Sequence, residues 1–148
     1  MKVIVQRVKK ASVEVENKIV GKINEGFMLL VGFTEGDDYN NICEMAKKIV
    51  NLRIMDDENG VMNKSILDTK GSILSISQFT LYADCKKGRR PSFIDAAKPE
   101  QAIPLYNYFN KKIEEYNVHV ETGIFGADMK VSLLNDGPVT IILDSKEL

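Results

Sequence analysis

The sequence predicts an α+β domain, with layered mixed or antiparallel β-sheets and two main helices packed on one side. Strand-like segments come in runs at the start, middle and end of the chain. Apolar residues switch to helical spacing in only two places. No repeat, linker or low-complexity segment interrupts the 148 residues, so one domain over 1–148 is expected.

Taken in order, Val13 and Val15 alternate with Ser12, Glu14 and Glu16, the period of a half-buried strand. Glu16-Asn17-Lys18 can turn the chain before Ile19-Val20. The run Phe27 to Phe33 is apolar on both faces and reads as a central, doubly covered strand. Thr34 to Asp38 then offers N-cap candidates for a helix with Ile42, Met45, Ala46, Ile49 and Leu52 on its inner face. Asp56 to Gly60 is an exposed turn, since the spacing of a calcium loop is absent. Ser72 to Tyr82 reads as a strand, followed by the basic loop Lys86-Lys87-Gly88-Arg89-Arg90-Pro91. Pro99 and Glu100 open a second helix, with Ala102, Leu105, Tyr106, Phe109 and Ile113 facing inward and Pro104 expected to shorten or kink it. Three strands close the chain: Val118-His119-Val120, Met129 to Leu134, and Val139 to Leu143. Asn135-Asp136-Gly137-Pro138 joins the last two, and its plainest reading is a hairpin turn.

Composition narrows the function. The net charge of −1 means that affinity for a polyanion must come from a local patch. No apolar run approaches the roughly 20 residues that span a bilayer, so a soluble, cytoplasmic protein without membrane contact is expected. Cys43 and Cys85 stand apart, with no zinc or disulfide spacing. The single histidine, His119, lies between two valines, and no nucleophile elbow, phosphate loop, zinc motif or dinucleotide fingerprint is present. Neither a metal nor a cofactor is expected. Chemistry here must be easy, or must borrow a group from the substrate.

Three features remain as candidates. Ser77-Gln78-Phe79-Thr80 places polar groups at the end of an apolar strand, where backbone N–H groups can form an oxyanion hole or the hydroxyls can satisfy local backbone. Gly137-Pro138 is a turn, or a rigid pair presenting two carbonyl acceptors to a ligand. Lys86, Lys87, Arg89 and Arg90 form a solvated loop, or hold phosphates of a nucleic acid.

Ser77-Gln78-Phe79-Thr80-Leu81, taken together with Asn135-Asp136-Gly137-Pro138-Val139-Thr140, resembles the paired signature motifs of the D-aminoacyl-tRNA deacylases. The similarity extends to Gln6-Arg7-Val8, Leu52-Arg53-Ile54, Met62 to Ser65, Gly88 followed by Arg90 to Phe93, and Gly123 to Met129; Arg89 beside Arg90 is a minor variation. This resemblance implies hydrolysis of the ester of D-aminoacyl-tRNA, with glycyl-tRNA also cleaved and L-aminoacyl-tRNA rejected. It implies a homodimer with active sites at the subunit interface, where a cis Gly137–Pro138 bond of one subunit faces Ser77, Gln78, Phe79 and Thr80 of the other. It also implies that Phe125, Ala127 and Met129 line a pocket for the terminal adenosine of the tRNA. Arg7 is expected to brace the interface or the Gly-Pro turn, or to make an ordinary surface salt bridge. The family has been described both with the motif threonine as nucleophile and with the tRNA 2′-OH assisting water. The residue inventory favours the second, because Thr80 has no evident general base.

Overall fold

In the computed structural model, which describes residues 1–148, N-terminal alternation extends well beyond Val13 and Val15. Val3, Val5, Val8, Ala11 and Val13 are all buried along a single long strand, β1 (Lys2–Val15). Glu16 and Asn17, both with positive φ, turn it into β2 (Lys18–Ile23), the backbone geometry that suits a tight hairpin. β3 (Gly26–Gly32) is buried on both faces, as its unbroken apolar run requires. Helix α1 (Tyr39–Asn51) begins at Asp38, whose side chain accepts from the Asn41 N–H while the Asn41 side chain accepts from the Asp38 N–H.

A small hairpin, β4 (Met55–Asp56) and β5 (Met62–Lys64), surrounds the exposed acidic turn. The single-turn helix α2 (Ile66–Thr69) leads to β6 (Ser72–Ser77). Helix α3 (Pro99–Glu114) buries all five residues expected of its inner face. It continues through Pro104 for 16 residues, so that proline does not shorten it. Its position in the early turns means that only one intrahelical hydrogen bond is forfeited. The last strands are β7 (Val120–Thr122) and β8 (Lys130–Asp144).

The main sheet runs β2-β1-β3-β6-β7, with β8 on the other side of β1. Pairings around β1 are antiparallel, whereas β3–β6 and β6–β7 are parallel. One face carries α1 and α3, which pack with Val3, Val5, Phe27, Leu29, Val31 and Ile73 in the larger core. Phe27 and Phe109 are fully enclosed there, and truncating either to Ala would cost about 3–5 kcal/mol. On the other face β2 also lies against β6 and β7, curling the sheet toward a partly closed barrel. Val8, Ala11, Val13, Ile23, Met28, Leu74 and Ile76 fill that second core.

Three expected elements differ. β6 stops at Ser77, and Phe79–Tyr82 is a 3₁₀ turn instead of more strand. The turn leaves Phe79 and Thr80 exposed and buries Tyr82, a distinction that a short apolar run does not reveal. Val118 and His119 precede β7 and are not part of it. The third difference matters most. Residues 130–144 form one strand paired with β1 along its length, not two strands joined by a hairpin. Val8 pairs with Asn135 and Gln6 with Thr140, so residues 136–139 all bulge out opposite the single residue Arg7.

Candidate active site

Parallel pairing of β6 with β3 ends at Ser77, opposite Val31. One more backbone bond, from the Gln78 N–H to the Val31 carbonyl at 2.7 Å, holds the chain before it turns. Gly32 makes this close approach possible. A Cβ there would sit 2.8 Å from the Gln78 carbonyl oxygen and 3.1 Å from Leu81 Cβ. The following turn has no side-chain cap. As its first residues, Phe79 and Thr80 have N–H groups without a partner inside the turn.

Ile76, Ser77, Gln78 and Phe79 form one wall of a cavity of about 270 Å³. Phe125, Gly126, Ala127, Asp128, Met129 and Val131 form the other. Tertiary packing therefore joins two groups of sequence-predicted residues 48 positions apart, Ser77, Gln78 and Phe79 with Phe125, Ala127 and Met129. Tyr106 from α3 supports the floor. Its ring lies 5.9 Å from that of Phe125, and its hydroxyl donates to the Ser75 carbonyl at 2.7 Å. Burial pushes the Tyr106 phenol above its ordinary range, so it stays a neutral donor. Ile76, Gly126, Asp128 and Val131 also line the cavity but were not singled out from the sequence. The turn signature at Gly126, within the motif block 123–129, was the available signal. A larger cavity of about 400 Å³ elsewhere, lined by Lys10, Ile19, Lys22 and Leu134 among others, contains no motif residue.

Thr80 is exposed, and its hydroxyl accepts from the Gln78 side-chain amide. An amide donor cannot take up a proton, so no general base touches this hydroxyl. His119 is exposed and sits 3.0 Å from Glu121, at the opposite end of β6 from Ser77. Asp128 pairs with Lys130 at 2.9 Å on the exposed rim.

Gly137 and Pro138 do not line this cavity. Their peptide bond is cis, and both residues are exposed. Along β1, Val3 shares a row with Val31 and Ser77, whereas the bulge faces Arg7, four residues further on. Within one chain the two motifs are thus separated by three strand spacings and four residues, roughly 20 Å. Gly137 has φ +127, a value that favours glycine, and a Cβ would meet Val139 Cγ2 at 2.8 Å and Arg7 Nη2 at 3.2 Å.

Arg7 is buried beneath the bulge. Its Nε donates to the Asp136 carbonyl at 3.0 Å, and its Nη1 donates to the Ile54 carbonyl and to Asp56 Oδ1, both at 2.9 Å. The basic loop leaves the 3₁₀ turn as a closed excursion. Asp84 and Ser92 exchange both backbone hydrogen bonds at its base, and the Phe93 ring stands edge-on to Phe79 at 5.2 Å. No helix is long and apolar enough to cross a membrane.

Residues 4–144 match the model of the family described as D-Tyr-tRNA(Tyr) deacylase. A D-aminoacyl-tRNA deacylase of Bacillus cytotoxicus is 60% identical over 146 residues, covering 99% of this chain and 100% of that protein. One of Thermus aquaticus is 54% identical over 147 residues, covering 99% and 97%. Among solved structures, the c-Myc DNA Unwinding Element Binding Protein is 40% identical and superposes with a TM-score of 0.91, covering 97% of this chain and 98% of that one. A probable eukaryotic D-amino acid tRNA deacylase, 17% identical and covering 96% and 97%, shares the fold with a TM-score of 0.83. By full-length similarity and by the fold that carries both motifs, this chain belongs to the D-Tyr-tRNA(Tyr) deacylase family.

Proposed function

We propose that this protein hydrolyses the ester bond of D-aminoacyl-tRNA, releasing free tRNA and the D-amino acid in the cytoplasm. The observation that carries this reading is the meeting of Ser77–Phe79 with Phe125–Met129 around one cavity, in a chain of this family. Phe125, Ala127 and Met129 provide an apolar wall for the terminal adenosine. N–H groups of Phe79 and Thr80 stabilise the oxyanion that forms when water adds to the ester carbonyl. The ribose 2′-OH relays a proton from the attacking water to the departing 3′-oxygen as the acyl C–O bond breaks. An aminoacyl ester is already activated, so positioning and charge stabilisation are the main demands on the protein.

A second copy of the chain completes the site in this reading. Its Gly137 and Pro138 enter from outside, which accounts for their exposure and for their distance from Ser77 within one chain. The outer edge of β8 is unpaired, and Leu134 and Ile142 on that strand are exposed, consistent with burial against a partner. The Gly137 and Pro138 carbonyls then accept from the substrate α-ammonium. An L-residue would drive its Cβ into this motif, whereas a D-residue projects outward. Rejection by clash discriminates strongly but cannot exclude glycine, which has no side chain. Lys86, Lys87, Arg89 and Arg90 hold backbone phosphates of the tRNA.

The deciding experiment follows amino-acid release from D-tyrosyl-, L-tyrosyl- and glycyl-tRNA at catalytic enzyme levels. Fast cleavage of the D and glycyl esters with the L ester intact is expected. A glycyl ester that resists enzyme levels able to clear the D ester would overturn rejection by clash. The name of the c-Myc DNA Unwinding Element Binding Protein keeps a second reading in view, nucleic-acid binding without turnover. Multiple turnover on D-tyrosyl-tRNA excludes it.

A further inference from the structure

The cavity of about 270 Å³ has room for little more than one terminal nucleoside, yet an exposed aromatic pair between it and the basic loop is left unused by this assignment. Phe79 is 54% exposed and Phe93 40% exposed, although large aromatic side chains are ordinarily covered. They meet at 72°, forming a corner that offers a ring face and a ring edge to a flat group. Phe79 is also part of the cavity wall, so the corner begins where the cavity ends. The Asp84–Ser92 pair closes the basic loop directly behind Phe93. Lys86, Lys87, Arg89 and Arg90 are all exposed, and none is engaged in an ion pair.

Stacking surfaces next to unpaired cations are the physical requirements of a single-stranded nucleic-acid site. Aromatic faces take bases without regard to sequence, while the cations track the backbone. We propose that Phe93, with Phe79, stacks the unpaired nucleotide that precedes the terminal adenosine of the substrate, while the 86–90 loop neutralises the phosphates on its 5′ side. This rests on the reading above, in which the cavity holds the terminal nucleoside. It places a second base-binding position outside the reaction centre, so chain length beyond the terminal adenosine governs affinity.

The test measures anisotropy of a fluorescein-labelled, uncharged ACCA oligoribonucleotide, together with hydrolysis of D-tyrosyl esters of adenosine and of the trinucleotide CCA. Wild-type protein is expected to favour the trinucleotide ester in kcat/KM by tenfold or more, mainly through KM. Phe93→Leu keeps apolar bulk but loses the stack, and should weaken oligonucleotide binding by about 5- to 150-fold, the range of one base–aromatic stack. It should also shrink the preference for the trinucleotide. Phe93→Tyr should preserve both. Equal binding by wild type and Phe93→Leu overturns the proposal, as does an altered sedimentation coefficient in Phe93→Leu, which would make this corner a contact between copies of the chain. Oligonucleotide binding that depends on Phe93, without cleavage of any ester, upholds the stacking site and overturns the deacylase reading instead. Turnover of both esters at equal kcat/KM does the reverse.

Discussion

Arg7 lies directly beneath Asp136, with its Nε 3.0 Å from the Asp136 carbonyl, so one buried guanidinium holds the segment that carries Gly137 and Pro138. The same group reaches the Ile54 carbonyl and Asp56 from its other edge. A planar fork of fixed donors suits three acceptors in different directions; an ammonium on a flexible stem does not. Arg7→Lys should therefore keep the fold but lose about 1.5–3 kcal/mol, the contribution of charged hydrogen bonds, in urea denaturation. Deacylation of D-tyrosyl-tRNA should fall tenfold or more. Unchanged kinetics in a destabilised variant would show that Arg7 supports only the fold.

Gly32 sets the position of Gln78. Adding a methyl group places a carbon against a backbone carbonyl, which cannot rotate away as a flexible side chain would. Gly32→Ala is expected to cost about 1–3 kcal/mol by overpacking and to displace the start of the 3₁₀ turn. In the proposed mechanism kcat should suffer more than KM, because the oxyanion donors would shift. A variant with wild-type kcat would contradict the role given to the Phe79 and Thr80 N–H groups.

Thr80 receives a hydrogen bond from the Gln78 amide and has no base beside it. Thr80→Ala keeps the backbone donors, so single-turnover deacylation should remain within about tenfold of wild type, below the 10²–10³-fold loss typical when an oxyanion donor is removed. Complete inactivity in a protein with an unaltered circular dichroism spectrum would restore the hydroxyl as nucleophile.

Acid should loosen the segment before β6. Hydrogen bonds from the Ser65 backbone N–H, then from its hydroxyl, lower the Asp68 carboxyl below its ordinary value of 3.8. A depressed folded-state pKa gives stabilisation that is present above the unfolded value and lost as pH falls through the folded one. Asp68→Ala should lower the Tm at pH 7, and the gap from wild type should close below about pH 3.8. A gap that does not narrow as the pH falls below 3.8 would show that the charge is not the cause.

Local physics made much of this protein readable from its residues. Ile42, Met45, Ala46 and Ile49 face inward at helical spacing, and Phe27 to Val31 form a doubly covered strand, because periodicity and burial are coupled at short range. The Glu16–Asn17 turn follows from two residues with the positive φ that a tight hairpin needs, and the Asp38 cap from side chains that satisfy neighbouring backbone groups. Motif residues could also be named, because Ser77 to Thr80 break an apolar run with polar groups. Tertiary structure decided where those residues go. Whether Asn135 to Pro138 forms a hairpin or a bulge depends on β1, more than 120 positions away, which pairs with both flanks and leaves one buried arginine opposite four residues. The cavity likewise exists only because the end of β6 and the 125–131 segment converge, with Phe125 packed on the helix-side core and Ile76, Met129 and Val131 on the other. No residue between them in the sequence encodes that meeting locally; it follows from how the whole sheet buries its two faces.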